Sequence, residues 1–353
     1  MSGKFCSQSA LRSFAQTYLI ERSQNSRLLR TKFTDLLGCR LPLQQAAIGS
    51  LANPRLASAV ANAGGLGMVG ITGFQPEKTF EVLQSLKERT SGAFGVNIIM
   101  PLDEADNIMK SAEAAARIAK VVEFFYGWPD PSLVKTVHSK GALVSWQLGS
   151  KEEAVAAEKA GCDLVVAQGI EAGGHIRGKI GLIPLLEEVL ESVKVPVVAA
   201  GGIGSGRAMA AMLAAGASAV RIGTRFVAAR EAEAHPEYVE ALIGARAEDT
   251  VITERFSRLW PNAPHRVLRS SLDAAETFQG EIVAQGEDPD TGEKYPIRRF
   301  ESSTASKLTS GNIRAMPLWA GESVGAVKKV QSAAEIVQEL CEEAEEYLRR
   351  WND

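Results

Sequence analysis

Positive charge is not in excess in this 353-residue chain: 39 lysines and arginines stand against 42 aspartates and glutamates, a formal net charge of −3. With no surplus cations to displace the counterions of a phosphate backbone, nucleic acid is not an expected partner. No apolar run approaches the roughly 18 residues of a membrane span, and the N-terminus lacks the apolar core of a secretory signal. A soluble, cytoplasmic protein is expected, with no membrane partner. Cysteine is scarce: Cys6, Cys39, Cys162 and Cys341 are scattered without a CxxC or metal-ligand spacing, which argues for a reducing compartment and against zinc. No cluster of His, Asp and Glu calls for another metal.

Acid is nearly missing from residues 1–30, where Glu21 is the only one among many Ser, Gln and Arg. Organelle transit peptides share that bias, but a flexible N-terminal extension is the simpler reading.

What is abundant points to a large core. A composition 45% hydrophobic, with 32 glycines placed between apolar runs, suits tight strand-to-helix turns rather than disorder. From Leu41 short apolar runs alternate with amphipathic stretches, the βα pattern of a parallel sheet. Eight strands are expected at 41–47, 66–70, 94–99, 121–125, 143–147, 164–168, 196–200 and 219–222. Helices are expected between them at 54–63, 76–91, 103–119, 150–160, 182–192 and 206–215, with Asn53, Asp103, Ser150 and Ser205 as caps. The even spacing has no obvious switch point, so closure into a (β/α)8 TIM barrel is favoured over an open doubly wound sheet.

The rhythm changes after the eighth strand. Residues 245–316 are polar, contain the turn-like run 285–292 and read as an irregular insertion beside the barrel mouth. A C-terminal helix follows at 333–351, its stripe of Ile336, Val337, Leu340, Ala344, Tyr347 and Leu348 expected to face the core. One elaborated domain over 31–353 accounts for the whole.

Three features carry chemistry. The segment Gln168-Gly169-Ile170-Glu171-Ala172-Gly173-Gly174-His175 runs from a buried strand into a loop whose glycines let backbone approach a ligand. His175 then stands where barrel enzymes keep catalytic groups, although a loop histidine can equally serve to satisfy carbonyls. The turns at Gly201-Gly202-Ile203-Gly204 and Gly223-Thr224 follow the seventh and eighth strands, where barrels often bind phosphate on backbone N–H groups; tight turning alone would also call for glycine. Finally, Asn97 at the end of the third strand, Gln147 on the fifth and Gln168 on the sixth direct three uncharged amides to one mouth, which suits the edge of a planar heterocycle. His138, His235 and His265 adjoin no glycine-rich strand end and read as structural or solvated. Trp128, after the fourth strand, is a candidate for the pocket wall or for packing.

Taken together and in order, Pro42-Leu43-Gln44-Gln45-Ala46, Ala63-Gly64-Gly65-Leu66-Gly67, Gly95-Val96-Asn97, the Gln168 to His175 loop, Ala199-Ala200-Gly201-Gly202-Ile203 and Gly223-Thr224-Arg225-Phe226 resemble the nitronate monooxygenases, formerly 2-nitropropane dioxygenases, and their relatives the flavin-type enoyl-acyl-carrier-protein reductases. The likeness runs from about Leu41 through Ala229 and more loosely into the C-terminal helix.

The resemblance implies FMN, bound by Asn97, Gln147, Gln168, Gly173, Gly174, Gly201, Gly202, Gly223 and Thr224, with His175 as the catalytic residue. It implies oxidation of a nitronate by O2 to a carbonyl compound and nitrite, or alternatively an NAD(P)H-dependent reduction of an enoyl thioester or quinone. A homodimer is the assembly to test. Gln147 stands where several relatives carry lysine, so the anionic reduced flavin is expected to be less stabilised here.

Overall fold

A computed structural model describes residues 27–350. The extension expected at 1–30, with Cys6, falls almost wholly outside the described residues, as does Trp351 at the end of the C-terminal helix.

Eight parallel strands form one sheet: β1 (Leu43–Gln45), β2 (Gly67–Gly70), β3 (Phe94–Ile99), β4 (Val121–Phe125), β5 (Leu143–Leu148), β6 (Leu164–Gln168), β8 (Val197–Ala200) and β9 (Ala219–Ile222). The short β7 (Gly174–His175) belongs to another sheet. β1 pairs with β9, and a parallel bridge from Gln44 to Leu66 joins β1 to the start of β2. There the Leu66 N–H donates to the Leu43 carbonyl at 2.8 Å and the Gln45 N–H to the Leu66 carbonyl at 3.0 Å. The sheet therefore closes, and the choice between barrel and open sheet falls to the barrel.

Local chemistry explains most element starts. Asn53, Ser150 and Ser205 accept from Leu56, Glu153 and Ala208 N–H groups at the heads of helices Pro54–Ala63, Lys151–Ala160 and Gly206–Ala214, satisfying donors with no intrahelical partner. Asp103 is not such a cap. Its helix begins at Ala105 after a 3-10 turn at Met100–Leu102, and the Asp103 carboxylate instead accepts from Gly73 N–H, Glu104 N–H and Asn107 Nδ2. Gly67 is required on β2 because a Cβ there would lie 2.0 Å from the Ala57 carbonyl oxygen.

Side chains alternate across each strand. The outward set packs against the ring of helices. The inward set includes Leu66, Val121, Leu164, Val198 and Ala219, closed from below by Phe33 and Leu37 of the helix Lys32–Leu37, whose capping residue Thr31 also donates to the Ser218 carbonyl.

The segment 245–316 lies against the mouth and is more regular than its polar pattern suggests. β10 (Thr250–Thr253), β11 (His265–Leu268) and β7 form one antiparallel sheet; β12 (Ile282–Glu287), β13 (Lys294–Arg298) and β14 (Thr309–Gly311) form another. Strands of three to six residues with one wet face give too few periods to stand out. The turn-like run is partly strand, with the hairpin turn between Glu287 and Lys294.

The C-terminal helix Ala333–Arg349 buries Ile336, Val337, Leu340, Cys341 and Ala344 in the outer core, with Tyr347 and Leu348 half-buried beside them.

Candidate active site

At the carboxyl ends of the barrel strands lies a cavity of about 290 Å³, near the lower end of the range typical of small-molecule sites. Every site residue expected from sequence lines it: Asn97, Gln147, Gln168, Gly173, Gly174, His175, Gly201, Gly202, Gly223 and Thr224. Trp128 does not; it is 60% exposed. The cavity's aromatic lining comes instead from Phe125, Tyr238, Trp260 and Trp319, the last two reached only through the chain's return over the mouth.

His175 is fixed by backbone rather than by side-chain hydrogen bonds. β7 pairs antiparallel with β11, His175 opposite His265 and Gly174 opposite Arg266. Gln168 clamps the same loop: Nε2 donates to the His175 carbonyl at 3.0 Å and Oε1 accepts from the Arg177 N–H at 3.1 Å. Arg266 holds the loop from above, donating to the Ile170 carbonyl and pairing with Glu322. The imidazole stacks on Trp260 at 4.0 Å between centroids and meets His265 edge to face at 5.2 Å. Nε2 is buried and, among the described residues, without a hydrogen-bond partner. Burial and the neighbouring His265 push its pKa down from 6.5 to about 3, so the ring is neutral at physiological pH.

The other histidines fall into place. His138 pairs with Asp163 on the surface, and His235 accepts from the Glu237 N–H at a helix start. His265 is fully buried, with Nδ1 to the Ala263 carbonyl and Nε2 accepting from the Phe256 N–H. Its own needs are met locally, yet it also walls His175.

The cavity floor holds charge that sequence reading missed. Glu123 on β4 and Arg221 on β9 are buried and form an ion pair. Glu123 also accepts from Asn97 Nδ2 at 2.9 Å, Ser145 and Gln44, and Arg221 donates to Gln147 Oε1. A positive charge therefore does stand beside Gln147, although it is paired with Glu123. The available signal was one charged residue in each of two apolar runs, Val121–Phe125 and Ala219–Ile222. Asn97 itself lies within β3, which continues to Ile99.

At the rim, Gly201 and Gly202 adopt φ of +108° and +68°, a backbone that side chains rarely allow. Thr224 Oγ1 accepts from the Gly321 N–H at 3.0 Å. Buried Arg225 donates to the Gly204 carbonyl and pairs with Glu339 of the C-terminal helix, tying the two glycine turns to one support. Among the described residues no three His, Cys, Asp or Glu side chains converge as a metal site, and no helix is long and apolar enough to cross a membrane.

The geometry agrees with what the chain is similar to. The family model for nitronate monooxygenase matches residues 30–343. A probable nitronate monooxygenase of Staphylococcus aureus is 27% identical over 339 residues, covering 83% of this chain and 92% of that protein. Among solved structures, nitroalkane oxidase from Streptomyces ansochromogenes is 29% identical with a TM-score of 0.72, covering 91% of this chain and all of that one. FabK from Thermotoga maritima is 29% identical with a TM-score of 0.74, covering 92% and 98% of the two chains. With the family model spanning nearly the whole barrel and both its appendages, the chain belongs to the nitronate monooxygenase family of oxidoreductases.

Proposed function

We propose that this protein oxidises alkyl nitronates with O2, using FMN, to a carbonyl compound and nitrite. The observation that carries the reading is a single cavity joining an amide-lined floor and glycine-lined rim to the buried, neutral imidazole of His175.

The residues present fit the cofactor. Asn97 has committed Nδ2 to Glu123 and Gln147 has committed Oε1 to Arg221, which leaves an amide oxygen and an amide N–H for the donor and acceptor edge of a flavin ring. A Cβ built on Gly174 would meet no atom within 4 Å, so the loop leaves room where the cavity needs it. The backbone around Gly201, Gly202, Gly223 and Thr224 would hold the phosphate. Gln168 keeps the histidine loop in place rather than offering a free amide. FMN, when bound, would accept electrons from the nitronate and pass them to O2.

The protein's own part is to bind, orient the substrate and exclude water. Neutral His175 has a lone pair, but a ring whose pKa is pushed down to about 3 is a poor base for the α-proton of a neutral nitroalkane. Protonation at pH 7 is too costly for an imidazolium to be the resting form, so toward a preformed nitronate the ring offers only a neutral N–H. The aromatic wall of Trp260 and Trp319 keeps water from the site.

An anaerobic absorbance titration of FMN-loaded protein tests the reading, with an alkyl nitronate in one cuvette and NADH or NADPH in another. Bleaching by the nitronate is the expected result. Bleaching by the nicotinamide alone would replace the proposal with a reductase acting on an enoyl thioester or quinone.

A further inference from the structure

Among the described residues three that are not glycine adopt left-handed backbone: Tyr126 at φ +67°, Asn262 at +57° and Phe300 at +64°. That conformation is costly for a residue with a side chain and persists only where the surroundings enforce it. All three brace the segment that carries Trp260. Asn262 lies two residues beyond that indole, and the Phe300 carbonyl accepts from the Arg258 N–H at 3.1 Å. Tyr126 reaches the segment from the end of β4, its ring meeting the Trp260 indole edge to face at 4.6 Å between centroids. The same ring lies under the Arg177 guanidinium, 5.2 Å away. Gly127, next in the chain, fixes the turn: its carbonyl accepts from the Trp146 indole N–H at 2.9 Å, and a Cβ on it would lie 2.6 Å from the Met100 sulfur.

From this arrangement we infer that Tyr126 is a positioning residue for His175: its ring, set by the left-handed turn, holds Trp260 against the imidazole and steadies the histidine loop through Arg177. The inference rests on the reading above that His175 stands at the reacting centre. Trp260 stacks on the imidazole at 4.0 Å. Arg177 is two residues past His175, its N–H held by Gln168 Oε1 and its Nε by Glu153 Oε1 at 2.6 Å; Glu153 Oε2 in turn accepts from the Gly149 N–H at 2.9 Å. Nε2 of His175 has no hydrogen-bond partner among the described residues, so packing has to set the direction in which it points. Tyr126 does not itself line the cavity and acts through these two neighbours. Both contacts are made by the aromatic ring, an edge-to-face pair and a cation over a π-face, which makes the hydroxyl dispensable.

The test takes two readouts on FMN-loaded protein. The first is the imidazole signal of His175 in a proton–carbon correlation spectrum of histidine-labelled protein, assigned by its loss in His175→Asn; stacking on an indole moves ring protons upfield. Tyr126→Gly removes the ring and relieves the backbone, and should move that signal downfield by the greater part of the change seen in Trp260→Leu. Tyr126→Phe should leave it in place. The second readout is anaerobic flavin reduction by an alkyl nitronate, where Tyr126→Gly should lower the limiting rate about threefold to tenfold, the size of a lost aromatic pair, with KM little changed; Tyr126→Phe should keep the wild-type rate. In a His175→Asn background Tyr126→Gly should have no further effect. Should Tyr126→Gly fail to fold, Tyr126→Asn, which also tolerates the left-handed turn, takes its place in both readouts. An unmoved imidazole signal in Tyr126→Gly, Tyr126→Phe as impaired as Tyr126→Gly, or an undiminished loss in the His175→Asn background overturns the inference while leaving nitronate oxidation standing. If no nitronate reduces the flavin, the nitronate reading falls and the imidazole signal still decides the role of Tyr126.

Discussion

At the scale of single residues, the state of His175 is set by its surroundings. Burial beneath Trp260 and, to a lesser degree, the neighbouring His265 bring its pKa from 6.5 to about 3, and His265 is shifted in the same direction by its own burial. Because the folded-state value lies below the unfolded one, the unfolded chain takes up the proton first. The stability due to a neutral His175 is therefore complete above about pH 6.5 and declines toward pH 3 by roughly 1.4 kcal/mol per pH unit. Urea midpoints measured between pH 7 and 4 should fall more steeply for the wild type than for His175→Asn; parallel curves would show that the imidazole is not held neutral. The same variant should keep FMN and lose about tenfold of its turnover on an alkyl nitronate, the size expected for a lost hydrogen bond to the reacting group. Unchanged turnover would remove His175 from the chemistry. The Glu123 and Arg221 pair yields a different pattern. Arg221→Gln strands a buried carboxylate and should cost about 3–5 kcal/mol, whereas the double change with Glu123→Gln should recover most of it, as a double-mutant cycle in urea would measure.

At the scale of elements, the loop that carries His175 is held by close backbone packing as well as by pairing with β11. A Cβ on Gly173 would stand 2.4 Å from the Gly321 nitrogen and 2.6 Å from the Ala320 carbonyl carbon, atoms that cannot yield independently. Gly173→Ala should therefore displace the loop, costing on the order of 1–3 kcal/mol together with much of the activity. Gly325, where a Cβ meets nothing within 4 Å and φ is not left-handed, serves as the control: Gly325→Ala should be neutral or slightly stabilising. Thermal melts and flavin reduction rates on the two variants make the comparison. The barrel elements were legible because the short apolar runs tend to end at glycine or a polar residue and several helices start at a capping side chain, as at Asn53 and Ser150. β7 and β11 were not, since a two-residue strand has no period of its own and its partner lies some ninety residues away.

At the scale of the molecule, the C-terminal helix is a brace for the cavity. Leu340 and Ala344 pack against Gly206 so closely that a Cβ there would approach the Leu340 carbonyl oxygen to 2.5 Å. Glu343 accepts the Gly206 N–H at 2.7 Å, and Glu339 holds Arg225 beside the turns at Gly204 and Gly223. Leu340→Ala should cost about 2–5 kcal/mol, read as a lower denaturation midpoint, with weaker FMN retention because the two phosphate-side turns share this support.

The sequence by itself determined the periodicities, the turns and the chemical types at the strand ends: hydrophobic alternation, glycine and capping side chains act over a few residues, and so they are written locally. The amides, the glycines and His175 could be named on that basis. What only the tertiary structure decided is which distant residues meet. Closure of β1 onto β2 chose the barrel; burial against Trp260 and His265 made His175 neutral; and the inward layer beneath the mouth set Arg221 beside Gln147 and Glu123. Each is a contact between strands or loops far apart in the chain, and the energies of desolvation and ion pairing that govern them exist only once the core has closed around the groups.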